Sequence, residues 1–288
     1  MKNNSLIHVG DKVLDLSQPL VMAILNVTPD SFYGGSRTFS PDDLRTRVRS
    51  ILNEGASVID IGGYSSRPGA EDVSPEEELR RLSLGISILR EESSDIVISI
   101  DTFRACVAEN VLQRFGPCIV NDISAAELDT EMLQTVVRYG VPYIAMHMRG
   151  RPADMQNFAC YDNITDEIYD YLSGRIEAAR TAGIREIIID PGFGFAKTLE
   201  QNYELLAGMG RFKDLGCPVL AGISRKSMIY KPLGTTPEDA LNGTTALHWE
   251  CLRQGADILR VHDVAAAAQV VKLFNFYSQH GKLLDDPS

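Results

Sequence analysis

The sequence predicts an α/β fold, a (β/α)8 TIM barrel preceded by an N-terminal β-hairpin, and three observations predict it. Short apolar runs alternate with helical patterns along the whole chain in about eight units, and each crossover is long enough to return a parallel strand. The runs show little clean apolar/polar alternation, as expected of strands covered on both faces. They also stop repeatedly at Asn, Asp, Arg, Lys or His, which sets polar side chains along one edge of the sheet, where a barrel carries its active site.

Each element has its own signal. Two apolar patches near the start, split by Gly10-Asp11, read as a hairpin over residues 1–20, placed to cover the barrel's N-terminal mouth. Residues 21–280 then form one barrel domain and 281–288 a tail. Strands are expected at 21–27, 57–63, 95–101, 118–124, 142–148, 186–192, 218–224 and 257–263. After Ser74-Pro75, Leu79, Leu82, Ile86 and Leu89 recur at helical spacing behind an acidic first turn. Similar helical patterns cover 130–139, 165–180 and 237–253. A doubly wound open sheet is the rival, but it would show a Gly-rich turn after its first strand, and LNVTPDSF is not one. The connections 28–41 and 64–75 are long and rich in turn formers, and on the strand C-terminal side they would overhang the active face.

Composition narrows the partners. At 288 residues with 44% apolar side chains, the chain can fill one continuous core. Its net charge of -11 disfavours nucleic acid, since phosphate recognition leans on clustered Lys and Arg, so small-molecule substrates are expected. The five cysteines are scattered and lack C-x-x-C spacing, which suggests buried, reduced thiols. No run has signal-peptide or membrane-spanning length, so a cytoplasmic protein without membrane contact is expected.

A barrel would bring Asn26, Arg67, Asp101, Asn121, Asp190, Lys226, Arg260 and His262 to one mouth. Any one of them alone reads as turn or cap chemistry; together they divide into two chemical groups. Asp101, Asn121 and Asp190 suit a flat heterocycle whose edge carries N–H donors and a carbonyl. Arg67, Arg225, Lys226, Arg260 and His262 form a cationic collar, which in an acidic protein argues for a phosphate or pyrophosphate.

These residues stand in LNVTPDSF followed by Gly34-Gly35, GGYSSRPGA, SIDTFR, VNDIS, DPGFGF, GISRKS and RVHDV. In that order the chain resembles dihydropteroate synthase, the folate-pathway member of the pterin-binding barrels, from about Val21 to about Val271. The resemblance implies condensation of a (7,8-dihydropterin-6-yl)methyl diphosphate with 4-aminobenzoate to give 7,8-dihydropteroate and pyrophosphate, by an SN1-like loss of diphosphate. It implies that Asp190 clasps the pterin's 2-amino and ring N–H edge, that Asn121 and Asp101 satisfy other pterin nitrogens, and that Lys226 reaches the 4-oxo group. Met146 would pack on the pterin face and Gly222 would lie in the substrate site. Phe195, Lys226 and Ser227 would wall the aminobenzoate pocket. Arg260 and His262, with Asn26 as the protein ligand of Mg²⁺, would hold the diphosphate, and Ser66 and Arg67 would sit on the second loop. Arg260, His262, Lys226, Arg67 and Asp101 form the implied catalytic set, and the family makes the chain a sulfonamide-target candidate. Tyr64 stands where the family more often has Glu, Ser66 where it has Thr, and Tyr33 where an Asp is common.

Other signals are weaker. GFGFAKT looks like a phosphate-binding loop, but Ala196 replaces the Gly that motif needs before Lys. His147 reads as a packed histidine, and EDVSPEEELRR as a solvated helix start. The closing AAAAQVVKLFNFY has more apolar surface than an outer barrel helix needs, so a homodimer through this end is expected. Two rival functions, a methyltetrahydrofolate-dependent methyltransferase and a non-catalytic pterin-binding paralogue, fit the cationic collar poorly.

Overall fold

The computed structural model describes residues 6–28, 40–65 and 72–281. The expected positions Tyr33, Ser66 and Arg67, most of the first long connection and half of the second, lie outside them.

The chain opens with the expected hairpin, β1 (Leu6–Val9) paired antiparallel with β2 (Lys12–Asp15). Eight parallel strands follow: β3 (Leu20–Asn26), β4 (Val58–Gly62), β5 (Val97–Asp101), β6 (Ile119–Asp122), β7 (Tyr143–Met146), β8 (Ile187–Asp190), β9 (Leu220–Ala221) and β10 (Ile258–Val261). Their order is β8-β7-β6-β5-β4-β3-β10-β9, and a parallel bridge between Ile189 and Val219 closes the ring. Each falls within, or one residue before, the expected run; β3 starts at Leu20 because its N–H bonds to the Asp257 carbonyl at 2.9 Å.

The helices are α1 (Pro41–Glu54), α2 (Pro75–Glu92), α3 (Ala105–Phe115), α4 (Met132–Tyr139), α5 (Ile164–Ala182), α6 (Leu199–Gly208), α7 (Ser227–Tyr230), α8 (Leu241–Arg253) and α9 (Val264–His280). Their starts follow local chemistry. Ser40 and Ser74 each cap a free backbone N–H of the first turn, with proline next in chain. Thr198 and Gln201 form a reciprocal capping box on α6. In α2, Leu82, Ile86 and Leu89 are buried on the sheet, but Glu78 is fully buried as well. The expectation of a solvated helix start therefore fails at that residue, because Glu78 turns inward to the Arg104 guanidinium at 2.6 Å.

The core explains the weak alternation of the strands. Met22, Val58, Val97, Ile119, Ile144, Ile188, Leu220 and Ile258, one from each strand, form an apolar layer across the lower barrel. Ile7, Val9, Leu14 and Leu16 of the hairpin close it from below, as expected. Side chains on a strand return to the same face every second residue. Two residues up, the inward set becomes Ile24, Asp60, Ser99, Asn121, Met146, Asp190, Gly222 and Arg260. The outward set, including Leu25, Ile59, Ile61, Ile98 and Ile100, stays apolar and packs under Leu44, Val48, Ile51, Leu82 and Ile86 of the helices. The inner face thus switches from oil to polar groups halfway up. The cysteine expectation holds for Cys118, Cys217 and Cys251, which are buried free thiols; Cys106 and Cys160 are free but exposed, on α3 and after the turn at Met155–Phe158.

Candidate active site at the barrel mouth

Arg260, inward on β10, is the hub of the polar layer. Its Nε donates to Asp60 Oδ2 at 2.6 Å and its Nη2 to Asp101 Oδ2 at 2.7 Å, across β3 and β4. The same Asp60 oxygen accepts Asn121 Nδ2 at 3.0 Å, so one carboxylate orients both an arginine and an amide. Asp60 is fully buried, and its Oδ1 has no partner among the described residues. Burial by itself would lower the Arg260 pKa, but the charges of Asp60 and Asp101 outweigh it and the net shift is upward. Burial pushes the Asp101 carboxyl up, against the pull of Arg260.

The second cluster joins the ends of β8 and β9. Asp190 accepts the Gly192 N–H on Oδ1 at 2.7 Å. A Cβ on Gly222 would stand 3.7 Å from Asp190 Oδ2 and 3.9 Å from Lys226 Nζ, so this glycine leaves the space between acid and ammonium open. Burial raises the Asp190 pKa, with Lys226 opposing it. Lys226 is lowered by burial to about 8, with Asp190 opposing. Its ammonium donates to the Phe193 carbonyl and lies 4.9 Å from the centre of the Phe195 ring. Phe195 packs with Met146, Met148 and Ile123 in a small apolar cluster. Ser227 is the first residue of α7, directly after Lys226.

The turn after β8 requires Gly192. Its φ is +72°, and a Cβ there would come within 2.0 Å of the His147 carbonyl oxygen. His147 itself is packed, as expected, with burial lowering it to about 2, so it is a neutral imidazole. Lys197 of the phosphate-loop lookalike is buried on protein carbonyls rather than offered to a phosphate.

At the upper rim, Asn26 ends β3, and its Oδ1 lies 3.4 Å from where a Cβ on Gly62 would stand, close to Asp101. His262 follows β10; Ser224 Oγ lies 3.1 Å from its Nδ1 and accepts its backbone N–H at 3.1 Å. Arg225 is taken out of the cationic collar, because Asp263 binds it through two oxygens, with Nε to Oδ2 at 2.8 Å. The described residues therefore bring Asp101, Asn121, Asp190, Gly222, Lys226 and Arg260 into one pocket, with Asn26, Met146, Phe195, Ser227 and His262 around it. Asp60 and Lys197 went unrecognised in sequence. The signal for Asp60 was a lone charge at an inward register of an otherwise apolar strand, VIDIG.

Among the described residues no cluster of three or more His, Cys, Asp and Glu could hold a metal ion. A lone amide oxygen from Asn26 fits magnesium that arrives with phosphate and keeps phosphate and water oxygens as its other ligands.

Residues 22–262 match the family model described as pterin binding enzyme. The dihydropteroate synthase of Synechocystis sp. is 45% identical, over 92% of this chain and 92% of its own length. The Xanthomonas albilineans dihydropteroate synthase solved with 4-aminobenzoic acid superposes with a TM-score of 0.88 at 37% identity, covering 95% of this chain and 98% of that one. The Yersinia pestis dihydropteroate synthase in a sulfonamide drug complex gives a TM-score of 0.89 at 36% identity, covering 95% and 99%. An acid-floored, cation-rimmed barrel mouth and this degree of likeness lead to one conclusion: the chain belongs to the pterin binding enzyme family, among its dihydropteroate synthases.

Proposed function

We propose that the groups at the barrel mouth share out one reaction, Asp190, Asn121, Asp101 and Lys226 holding the ring while Arg260 and His262 draw off its charged tail. As a dihydropteroate synthase and a transferase, the enzyme condenses (7,8-dihydropterin-6-yl)methyl diphosphate with 4-aminobenzoate, giving 7,8-dihydropteroate and pyrophosphate. The observation that carries this reading is that Asp190, Lys226, Asp101, Asn121 and Arg260 all gather in one pocket around Gly222 and the inner face of the strands.

Asp190 accepts the 2-amino and ring N–H edge of the pterin; among the described residues its Oδ1 takes the Gly192 N–H, which leaves Oδ2 for that contact. Asn121 and Asp101 serve other ring nitrogens, Lys226 the 4-oxo group, and Met146 the ring face. Such charge-assisted hydrogen bonds contribute about 1.5–3 kcal/mol each. The carbon–oxygen bond to diphosphate breaks with its electron pair leaving on the diphosphate, while the electron-rich dihydropterin spreads the positive charge on the methylene. The aromatic amine then attacks that carbon and loses a proton. No nucleophilic side chain is required. Arg260, through the Nη1 that neither carboxylate claims, and His262, with Arg67, neutralise the departing charge. Preorganised groups of this kind are worth roughly 10²–10³ in rate each. Asn26 would hold magnesium, which supplies further neutralisation of the diphosphate. Phe195, Lys226 and Ser227 wall the aminobenzoate pocket, and a sulfonamide would occupy the same wall; the Yersinia pestis relative was solved in a sulfonamide drug complex.

The same reading includes a homodimer through α9, supported by the exposure of Leu273, Phe276 and Tyr277 (65%, 64% and 48%) on one helix. It includes a cytoplasmic location, supported by free rather than bridged cysteines. The test of the reaction is pyrophosphate release, which is expected only when the pterin diphosphate and 4-aminobenzoate are both present. Release that ignores 4-aminobenzoate would overturn it.

A further inference from the structure

Lys197 is 4% exposed, and the reaction gives it no part to play. Its Nζ donates to the carbonyls of Gly192 at 2.8 Å and Phe195 at 2.9 Å, and meets His147 Nδ1 at 3.1 Å. Among the described residues no carboxylate takes its hydrogen bonds. The chain from Gly192 to Lys197 therefore curls around its own lysine.

That segment needs an anchor. Gly192, Gly194 and Ala196 all have left-handed backbones (φ +72°, +81° and +48°), and for Ala196 the conformation is strained by its own Cβ. Such a conformation persists only where surrounding contacts over-determine it. The Lys197 contacts do this from inside. Asn202 Oδ1 accepting Gly194 N–H at 2.7 Å and the Tyr161 hydroxyl donating to the Ala196 carbonyl at 3.0 Å hold it from outside. The loop so fixed presents two groups to the pocket: the Phe193 carbonyl, which binds Lys226, and the Phe195 ring, over which the Lys226 ammonium lies.

We propose that Lys197 is a positioning residue for the aminobenzoate side of the pocket, holding the loop from Gly192 to Lys197 so that the Phe195 ring keeps its place on that wall. The inference rests on the assignment of Phe195, Lys226 and Ser227 to the aminobenzoate wall. The arrangement is satisfied in either protonation state of Lys197. An ammonium places three N–H groups on two carbonyls and the imidazole nitrogen; a neutral amine places two on the carbonyls and accepts the third contact from Nδ1–H. Burial lowers the Lys197 pKa well below the ordinary lysine value, which the second state accommodates. A neutral amide of similar reach should therefore substitute in part.

The experiment is steady-state kinetics of the full-length enzyme with both substrates varied, for Lys197→Met and Lys197→Gln, beside thermal melting. Lys197→Met should raise the KM for 4-aminobenzoate about tenfold or more while the KM for the pterin diphosphate moves less than about threefold, since misplaced contacts of this kind are costly. Lys197→Gln should recover part of the aminobenzoate KM. Equal rises in both constants, or a lowered melting point with both constants unchanged, would overturn the proposal. If Lys197→Met does not fold, Lys197→Gln decides alone: an aminobenzoate KM equal to wild type sinks the idea, and a selective rise supports it. A wild-type enzyme whose turnover ignored 4-aminobenzoate would instead remove the assignment of the wall itself.

Discussion

Replacing Arg260 with methionine tests whether the centre of the polar layer is held by charge. The change removes the Nε and Nη2 donors from Asp60 and Asp101, which they meet at 2.6 and 2.7 Å, while keeping most of the side-chain volume. Asp60 is fully buried and would keep only the Asn121 amide. Removing one member of a buried ion network typically costs about 3–5 kcal/mol, because the remaining charge is stranded. The sign of the pH dependence follows from linkage. Burial already raises the Asp101 carboxyl above its unfolded value of about 4, and without the guanidinium the opposing pull is lost and it rises further. Its contribution to stability is complete below that unfolded value and is lost as pH rises through the raised folded value. Urea unfolding should accordingly show a small deficit near about pH 5 and the full deficit near about pH 8. An equal deficit at both, or a loss under about 1 kcal/mol, would refute the stranded-charge argument.

Asp190→Asn should weaken binding of the pterin diphosphate by about 1.5–3 kcal/mol, measured by titration calorimetry, because an amide accepts fewer of the ring's N–H bonds. Lys226 loses its proton as pH rises through about 8, so kcat/KM for the pterin substrate should fall above that point, and Lys226→Met should abolish that limb of the profile. Phe276→Lys should give a monomer in light scattering with turnover per chain retained, since Phe276 is 64% exposed on the face assigned to the dimer.

Much of the barrel could be read directly because its signals are local. The chemistry sits at the strand ends that the apolar runs mark: Asn26, Asp101 and Asp190 end their strands, Asn121 and Arg260 stand one residue before the end, and His262 follows β10. Glu78 could not be read this way: it stands among three consecutive acidic residues at an N-terminal turn, and only its inward rotation toward Arg104 separates it from its solvated neighbours. Arg225 looked like part of the collar because it adjoins Lys226, yet Asp263, 38 residues on, claims it.

By itself the sequence determined the alternation of strands and helices, the capped helix starts, and which polar groups stand at the rim, since each depends on residues a few positions apart. Tertiary structure alone decided the partners of those groups. Arg260 reaches Asp101 across 159 positions and Asp60 across 200, and these contacts exist only because the ring of strands closes. Burial followed the same closure, setting Lys197 of the phosphate-loop lookalike against the carbonyls of its own loop and drawing Lys226 down to about 8. The physical reason is that desolvation and charge pairing act through space, and the distances that set them are fixed when the barrel forms.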